Sequence, residues 1–198
     1  MARPKLCIAI LAAGSSQRFG EKDKLTQDLG GQMLGLHMAD RLTGLEAANG
    51  VLIAPSATHP CAQKWEGLGY TVSPNLNAAE GMGSSVAMAA EFALNAKAEI
   101  LLIVLADMPF IPLAHCEAMI AEMVDQKNEV IATKSASRAM PPAAFRSSFF
   151  PQLAALTGDQ GARAIIGNAP AIELQAELAI DIDTPQDLAK ARAIRGGL

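Results

Sequence analysis

The sequence predicts an α/β fold, a parallel sheet joined by crossover helices, and three observations carry that reading. Short apolar runs suited to buried parallel strands recur at Leu6 to Ala12, Val51 to Ala54, Ile100 to Leu105 and Val130 to Thr133. Longer amphipathic stretches separate them, the alternation expected of strand and crossover helix. The 198 residues, 51% of them apolar, suit one compact domain with a substantial core.

Each element follows from a local signal. The first strand runs into a loop rich in small residues at Ala12 to Ser16. The apolar spacing predicts helices over Met33 to Leu42, Ser84 to Asn95, Leu113 to Lys127, Phe149 to Leu156, Ala162 to Asn168 and Pro185 to Ile194. The last has the strongest start signal: Thr184 as N-cap, Pro185 in the first turn and Asp187 three residues after the cap. Ser135 to Pro142, with Arg138 and the Pro141-Pro142 pair, is the least regular stretch and reads as a loop. No repeat or biased segment marks a linker, so a single domain over 1–198 is expected.

Composition excludes several classes. A charged fraction of 18% and a net charge of −4 provide no basic field, so neither nucleic acid nor an acidic membrane is an expected partner. Local basic residues still permit a small polyanionic substrate. Cys7, Cys61 and Cys116 lack paired spacing, which favours reduced thiols and a cytoplasmic location over disulfides or a zinc site. The segment ARPKLCIAILAAG reads as a strand, not a signal peptide, and no apolar run approaches the ~20 residues that span a bilayer. His37, His59 and His115 are far apart and lack ligand spacing, so surface or core roles are expected. Met119 and Met123, at helical spacing, read as core filling.

Five segments carry chemistry. LAAGSSQRFGEKDKL, residues 11–25, follows the first strand, where open parallel sheets hold ligands. The small residues Ala12, Ala13 and Gly14 let backbone amides approach phosphate or a base edge, and Arg18 and Lys24 add charge. The loop is neither a P-loop nor a dinucleotide fingerprint, and alone it is equally a solvated turn. IVLADMPF ends a buried strand on Asp107, where a carboxylate needs a partner or a cation. Magnesium takes one or two carboxylates together with phosphate oxygens and water; the alternative is that Asp107 caps the next turn. In IDIDTPQDL, extended backbone would point Asp181 and Asp183 to one face. Asp183, beside the helix, is the better metal ligand, and Asp181 reads as a solvent-facing strand end. NLNAAEGMGSSVAMAA, residues 75–90, brings Gly81, Ser84 and Ser85 to a helix start that suits phosphate or a base edge, or is an ordinary Ser N-cap. Late in the chain, LTGDQGARAII sets Asp159 and Arg163 around a Gly turn, to serve a polar ligand or merely a helix start.

Taken in order, LAAGSSQRFGEKDKL, EGMGSSV, LADMPF, LTGDQGAR and DIDTPQDL resemble the molybdenum-cofactor cytidylyltransferase branch of the MobA-like nucleotidyltransferases, across almost the whole chain. The resemblance implies a Rossmann-like three-layer sandwich with a mostly parallel sheet, and transfer of CMP from CTP to molybdopterin with release of pyrophosphate. Residue by residue it puts the family's glycine-rich loop on Leu11 to Gly14, its basic residues on Arg18 and Lys24, its magnesium aspartate on Asp107 and the second metal position on Asp183. With the loop readings above, the nucleotide is expected on Leu11, Ala12, Ala13, Gly14, Ser15, Lys24, Gly81, Ser84 and Ser85, catalysis on Arg18, Lys24 and Asp107, and Mg2+ on Asp107 and Asp183. A molybdenum hydroxylase or its chaperone would be the partner that receives the product. GTP-using members typically carry Ala-Gly-Gly where this chain has Ala12-Ala13-Gly14, which favours cytosine. Two departures concern the acceptor side: Met33 stands where relatives have proline, and SASRAMPPAAF lacks the glycine often found before the proline.

The expected mechanism is in-line attack by a phosphate oxygen of the acceptor on the α-phosphorus, with no protein nucleophile. A second enzyme reading replaces the pterin with a sugar phosphate or other small phosphate, or CTP with GTP. A third is a nucleotide-binding module that delivers the cofactor without catalysis, for which a lost metal site would be the mark.

Overall fold

In the computed structural model, which describes residues 4–14, 17–20, 22–47, 49–125, 128–158 and 163–196, seven strands form one sheet. They are β1 (Leu6–Leu11), β2 (Asn49–Ala54), β3 (Thr71–Pro74), β4 (Ile100–Leu105), β5 (Val130–Ser135), β6 (Arg138–Arg146) and β7 (Ala171–Glu173), in the spatial order β3-β2-β1-β4-β6-β5-β7. Strand β1 pairs in parallel with β2 and β4, β2 with β3, and β5 with β7; β6 runs antiparallel between β4 and β5. The helices are α1 (His37–Leu42), α2 (Ala62–Gly67), α3 (Met82–Asn95), α4 (Leu113–Asp125), α5 (Phe150–Ala154), α6 (Arg163–Ile166) and α7 (Pro185–Gly196).

Alternation along the strands builds two cores. Leu6, Ile8 and Ile10 face one way and pack with Leu42 of α1, Trp65 of α2, Met119 and Met123 of α4 and Leu188 of α7. Cys7, Ala9 and Leu11 face the other way and pack with Val86, Ala89 and Ala93 of α3, Phe150 and Leu153 of α5 and Ile166 of α6. Both faces of the sheet are therefore covered, the three-layer arrangement expected. Burial of each large aliphatic side chain contributes about 1.5–3 kcal/mol. All three cysteines are free and buried, and among the described residues no helix is long and apolar enough to cross a membrane.

The stretch Ser135 to Pro142 is a correction: it is not a loop but the turn and first half of a β5–β6 hairpin. The proline pair misled because proline cannot donate to a ladder. Here the register jumps from Thr133↔Met140 to Ala132↔Ala143, so Pro141 and Pro142 fall in a bulge where no ladder bond is required. Strands β3 and β7 and helix α2 were not foreseen, since runs of 4, 3 and 6 residues show too little periodicity. Helix α3 starts at Met82, two residues ahead of Ser84. IDIDT is not a strand, although both of its acids end up at one place.

Strand β1 has β2 on one side and β4 on the other, so the chain reverses its winding direction between β1 and β4. Loops leaving the carboxyl ends of those two strands diverge and leave a crevice, where open α/β sheets bind ligands.

Candidate active site

The crevice is framed by backbone hydrogen bonds. Leu11 accepts from the Ala106 amide (3.0 Å) and Ala12 donates to the Ile53 carbonyl (2.8 Å), so the small-residue loop is pinned between the tips of β2 and β4. Ala12 and Ala13 are buried and Gly14 is exposed. Asp107 lies two residues beyond β4, and its carbonyl accepts from the Ile182 amide (3.1 Å). Ile182 is fully buried, which docks the segment before α7 onto the β4 tip and turns Asp181 and Asp183, on either side of it, toward Asp107. Carboxylate oxygens of Asp107, Asp181 and Asp183 lie within 4.8 Å of one another. A capping box holds the junction with α7: Thr184 Oγ1 accepts from the Asp187 amide (3.2 Å) and Asp187 Oδ2 accepts from the Thr184 amide (3.0 Å).

Lys24 reaches this cluster from the first loop. Its Nζ is 2.6 Å from Asp107 Oδ2 and 2.7 Å from Asp183 Oδ1, and Arg18 Nη1 is 3.4 Å from Asp183 Oδ2. Burial opposes the charge on Lys24, but the charge and hydrogen bond of Asp107, with help from Asp183 and Asp181, outweigh it and hold the ammonium well above its ordinary range. Asp181 behaves in the opposite way. Part of it meets solvent, yet desolvation of its carboxyl and repulsion from Asp107 and Asp183 push it up to about 7. Among the described residues the buried Asp107 Oδ1 has no hydrogen-bond partner. An oxygen-only donor set with one orphaned buried carboxylate oxygen fits a hard divalent cation such as Mg2+.

A polar cleft of about 560 Å3 surrounds these groups. Its walls include Leu11, Ala12, Ala13 and Gly14 from the first loop, Gly81 and Ser85 at the start of α3, and Arg18, Lys24, Asp107 and Asp183. The residues anticipated for nucleotide, metal and catalysis thus face one space, with two exceptions. Ser15 lies outside the described residues, as does Asp159 of the late Gly turn. Ser84 does not line the cleft: its hydroxyl donates to the Asn77 and Gly81 carbonyls and accepts from Asn75 Nδ2 (2.9 Å). Asn75 Nδ2 also donates to Ser85 Oγ (2.9 Å), which leaves the Ser85 proton free to point elsewhere. Gly81 has φ +113°, suited to glycine, and a Cβ on Gly83 would lie 2.7 Å from the Gly158 carbonyl oxygen, so both positions favour glycine.

A second cavity of about 400 Å3 opens from the same cleft. It is lined mainly by apolar side chains, Val86, Ile103, Met108 and Phe145 among them, and shares Arg138, Arg163 and Asp181 with the polar cleft. Arg138 carries no site signal in a segment that reads as a loop, and it reaches the cleft because that segment is a hairpin. Asp181 reads in sequence as a solvent-facing strand end, and the structure instead brings its carboxylate to Asp107 and Asp183. The signal that identifies it is Ile182, a single apolar residue between two acids that must be buried somewhere.

A crevice at a strand-order reversal, a small-residue loop, two basic side chains and a carboxylate cluster define a nucleotide-binding α/β protein. Residues 8–175 match the MobA-like NTP transferase domain, and the chain belongs to that family of nucleotidyltransferases. It is 30% identical over 203 residues to the purine catabolism protein PucB of Bacillus subtilis (strain 168), covering 94% of this chain and 96% of that protein. CMP:2-keto-3-deoxy-manno-octonic acid synthetase complexed with CTP shares the fold, with a TM-score of 0.74, 16% identity and coverage of 98% of this chain and 99% of that one. So does molybdopterin-guanine dinucleotide biosynthesis protein A of Archaeoglobus fulgidus, at TM-score 0.68 and 16% identity, covering 97% of this chain and 100% of the other.

Proposed function

We propose that the chain transfers CMP from CTP to molybdopterin, with Mg2+, yielding the cytosine dinucleotide cofactor and pyrophosphate. The observation that carries the reading is the meeting of Asp107, Asp181 and Asp183 with Lys24 at the mouth of the small-residue loop. Amides of Ala12 to Gly14 and the Ser85 hydroxyl would hold base and ribose, and Arg18 and Lys24 would take the triphosphate charge. Mg2+ held by Asp107 and Asp183, with Asp181 beside them, would supply neutralisation of phosphate charge. The adjoining apolar cavity, with Arg138 and Arg163 at its entrance, suits an acceptor with a flat body and an anionic phosphate.

In the reaction, an acceptor phosphate oxygen bonds to the α-phosphorus while the bond from that phosphorus to the bridging oxygen of the β-phosphate breaks. Pyrophosphate leaves with the electron pair, and the basic side chains stabilise the charge that develops on it. Support for cytidine comes from Ala13, whose methyl is buried where GTP-using relatives have glycine, and from the CTP-bound synthetase of the same fold. Support for the pterin comes from the structural likeness to a molybdopterin dinucleotide biosynthesis protein.

The test incubates the protein with Mg2+, each NTP in turn and molybdenum-loaded molybdopterin, and follows pyrophosphate release. Activity confined to CTP is expected, whereas activity only with a sugar phosphate acceptor would replace the pterin. Asp107→Ala should lower turnover by about 100-fold or more, and near-normal turnover by that variant at saturating Mg2+ would remove Asp107 from the mechanism.

A further inference from the structure

We infer that His59, acting through Asp23, is a positioning residue for Lys24; the inference rests on the triphosphate role proposed for that lysine. His59 lies between β2 and α2, far along the chain from the first loop, and its side chain is 4% exposed. Its Nδ1 accepts from the Cys61 amide (3.1 Å), which assigns the ring proton to Nε2. That Nε2–H donates to Asp23 Oδ2 at 2.6 Å. The ring lies flat on Trp65, with centroids 4.9 Å apart and planes 9° from parallel, and Trp65 in turn donates from Nε1 to the Gly35 carbonyl (2.9 Å). The imidazole is thus held at both nitrogens and on one face, with Asp23 as the acceptor of its proton.

Asp23 converts that fixed donor into backbone position. Its other oxygen, Oδ1, accepts from the Leu25 amide (2.9 Å) and caps the single 3-10 turn Lys24–Thr26. Its carbonyl accepts from Thr26 Oγ1 (2.8 Å) and Gln27 Nε2 (3.0 Å), so the turn is wound around Asp23. Burial opposes ionisation of Asp23, but the hydrogen bonds from His59 and Leu25 prevail and keep it a carboxylate. One 3-10 turn has little stability of its own. Lys24 is long and rotamer-rich, so where its ammonium goes depends on how firmly its Cα is held. The two oxygens of Asp23 therefore link a rigid imidazole to the residue that delivers the cation to Asp107 and Asp183.

The experiment compares His59→Leu, which keeps bulk without the donor, with His59→Gln, whose amide can still donate to Asp23. Reductive methylation with formaldehyde, read by mass spectrometry, reports how often Lys24 is accessible, with exposed Lys22 as internal reference. His59→Leu should raise the Lys24:Lys22 rate ratio by about fivefold, as local opening of the turn increases, and His59→Gln should leave it near the wild-type value. The same His59→Leu change should lower kcat/KM for CTP by about tenfold, the scale of a displaced charge, and add no loss when Lys24 is already alanine. An unchanged methylation ratio in His59→Leu, a ratio raised equally by His59→Gln, or additive losses with Lys24→Ala would each overturn the inference. If the wild type turns over no NTP, the methylation ratio still decides the positioning role, and the proposed function falls separately.

Discussion

Ile182 has no chemistry of its own, yet its burial and its amide bond to Asp107 bring three carboxylates to one point. The repulsion this creates is visible in Asp181, raised to about 7 by burial and by its two acidic neighbours. A carboxyl with a raised pKa keeps its proton in the fold over a range where the unfolded chain has lost it. Between about pH 4 and about 7 the native state thus binds more protons, and stability falls as pH rises through that window. Asp181→Asn removes this term, so the Tm advantage of the variant over wild type should grow from pH 4 to 7 and level off above it. A Tm difference that does not change with pH would show that Asp181 is not under this strain. Asp107, Asp183 and Lys24 were legible in sequence because each sits in a short pattern that breaks from its surroundings: a charge ending an apolar run, or a basic residue in a loop of small ones. His59 was not legible, because a lone histidine carries no spacing, and its partner Asp23 is 36 residues away.

At the scale of elements, the capping box at Thr184 and Asp187 does two things at once: it starts α7 and it ends the acidic segment at a defined place. Thr184→Ala should cost about 1 kcal/mol, within the usual 0.5–2 range for a lost cap, read as a lower denaturation midpoint at unchanged m-value. Full retention of stability would mean that packing of Leu188 and Ala191 alone sets the helix start. The long apolar strands and the capped helix were readable because burial on two faces and cap chemistry are written locally. The β5–β6 hairpin was not, since its prolines are tolerated only through a register jump that depends on the partner strand. The hairpin carries Arg138 to the border of both cavities.

For the whole molecule, a net charge of −4 says little about where charge is concentrated. The fold collects Arg18, Lys24, Arg138 and Arg163 around a cleft that also holds three aspartates, at the reversal of strand order between β1 and β4. Basic side chains and carboxylates thus share one crevice with an apolar cavity beside it, the arrangement that the proposed phosphate, metal and acceptor roles require. The fold class, and the meeting of the first loop with Asp107 and Asp183 in one crevice, were legible because motif order along the chain reports strand order in an α/β sheet. The lining of the apolar cavity was less so, being assembled from β6, α6 and the segment before α7, whose side chains meet only in three dimensions. The most direct measurement is a crystal structure of the protein with Mg2+ and a non-hydrolysable CTP analogue. The metal should be found on Asp107 and Asp183 with the triphosphate against the Ala12–Gly14 loop, Arg18 and Lys24. A nucleotide bound elsewhere, or in the cleft with neither carboxylate touching the metal, would contradict the account.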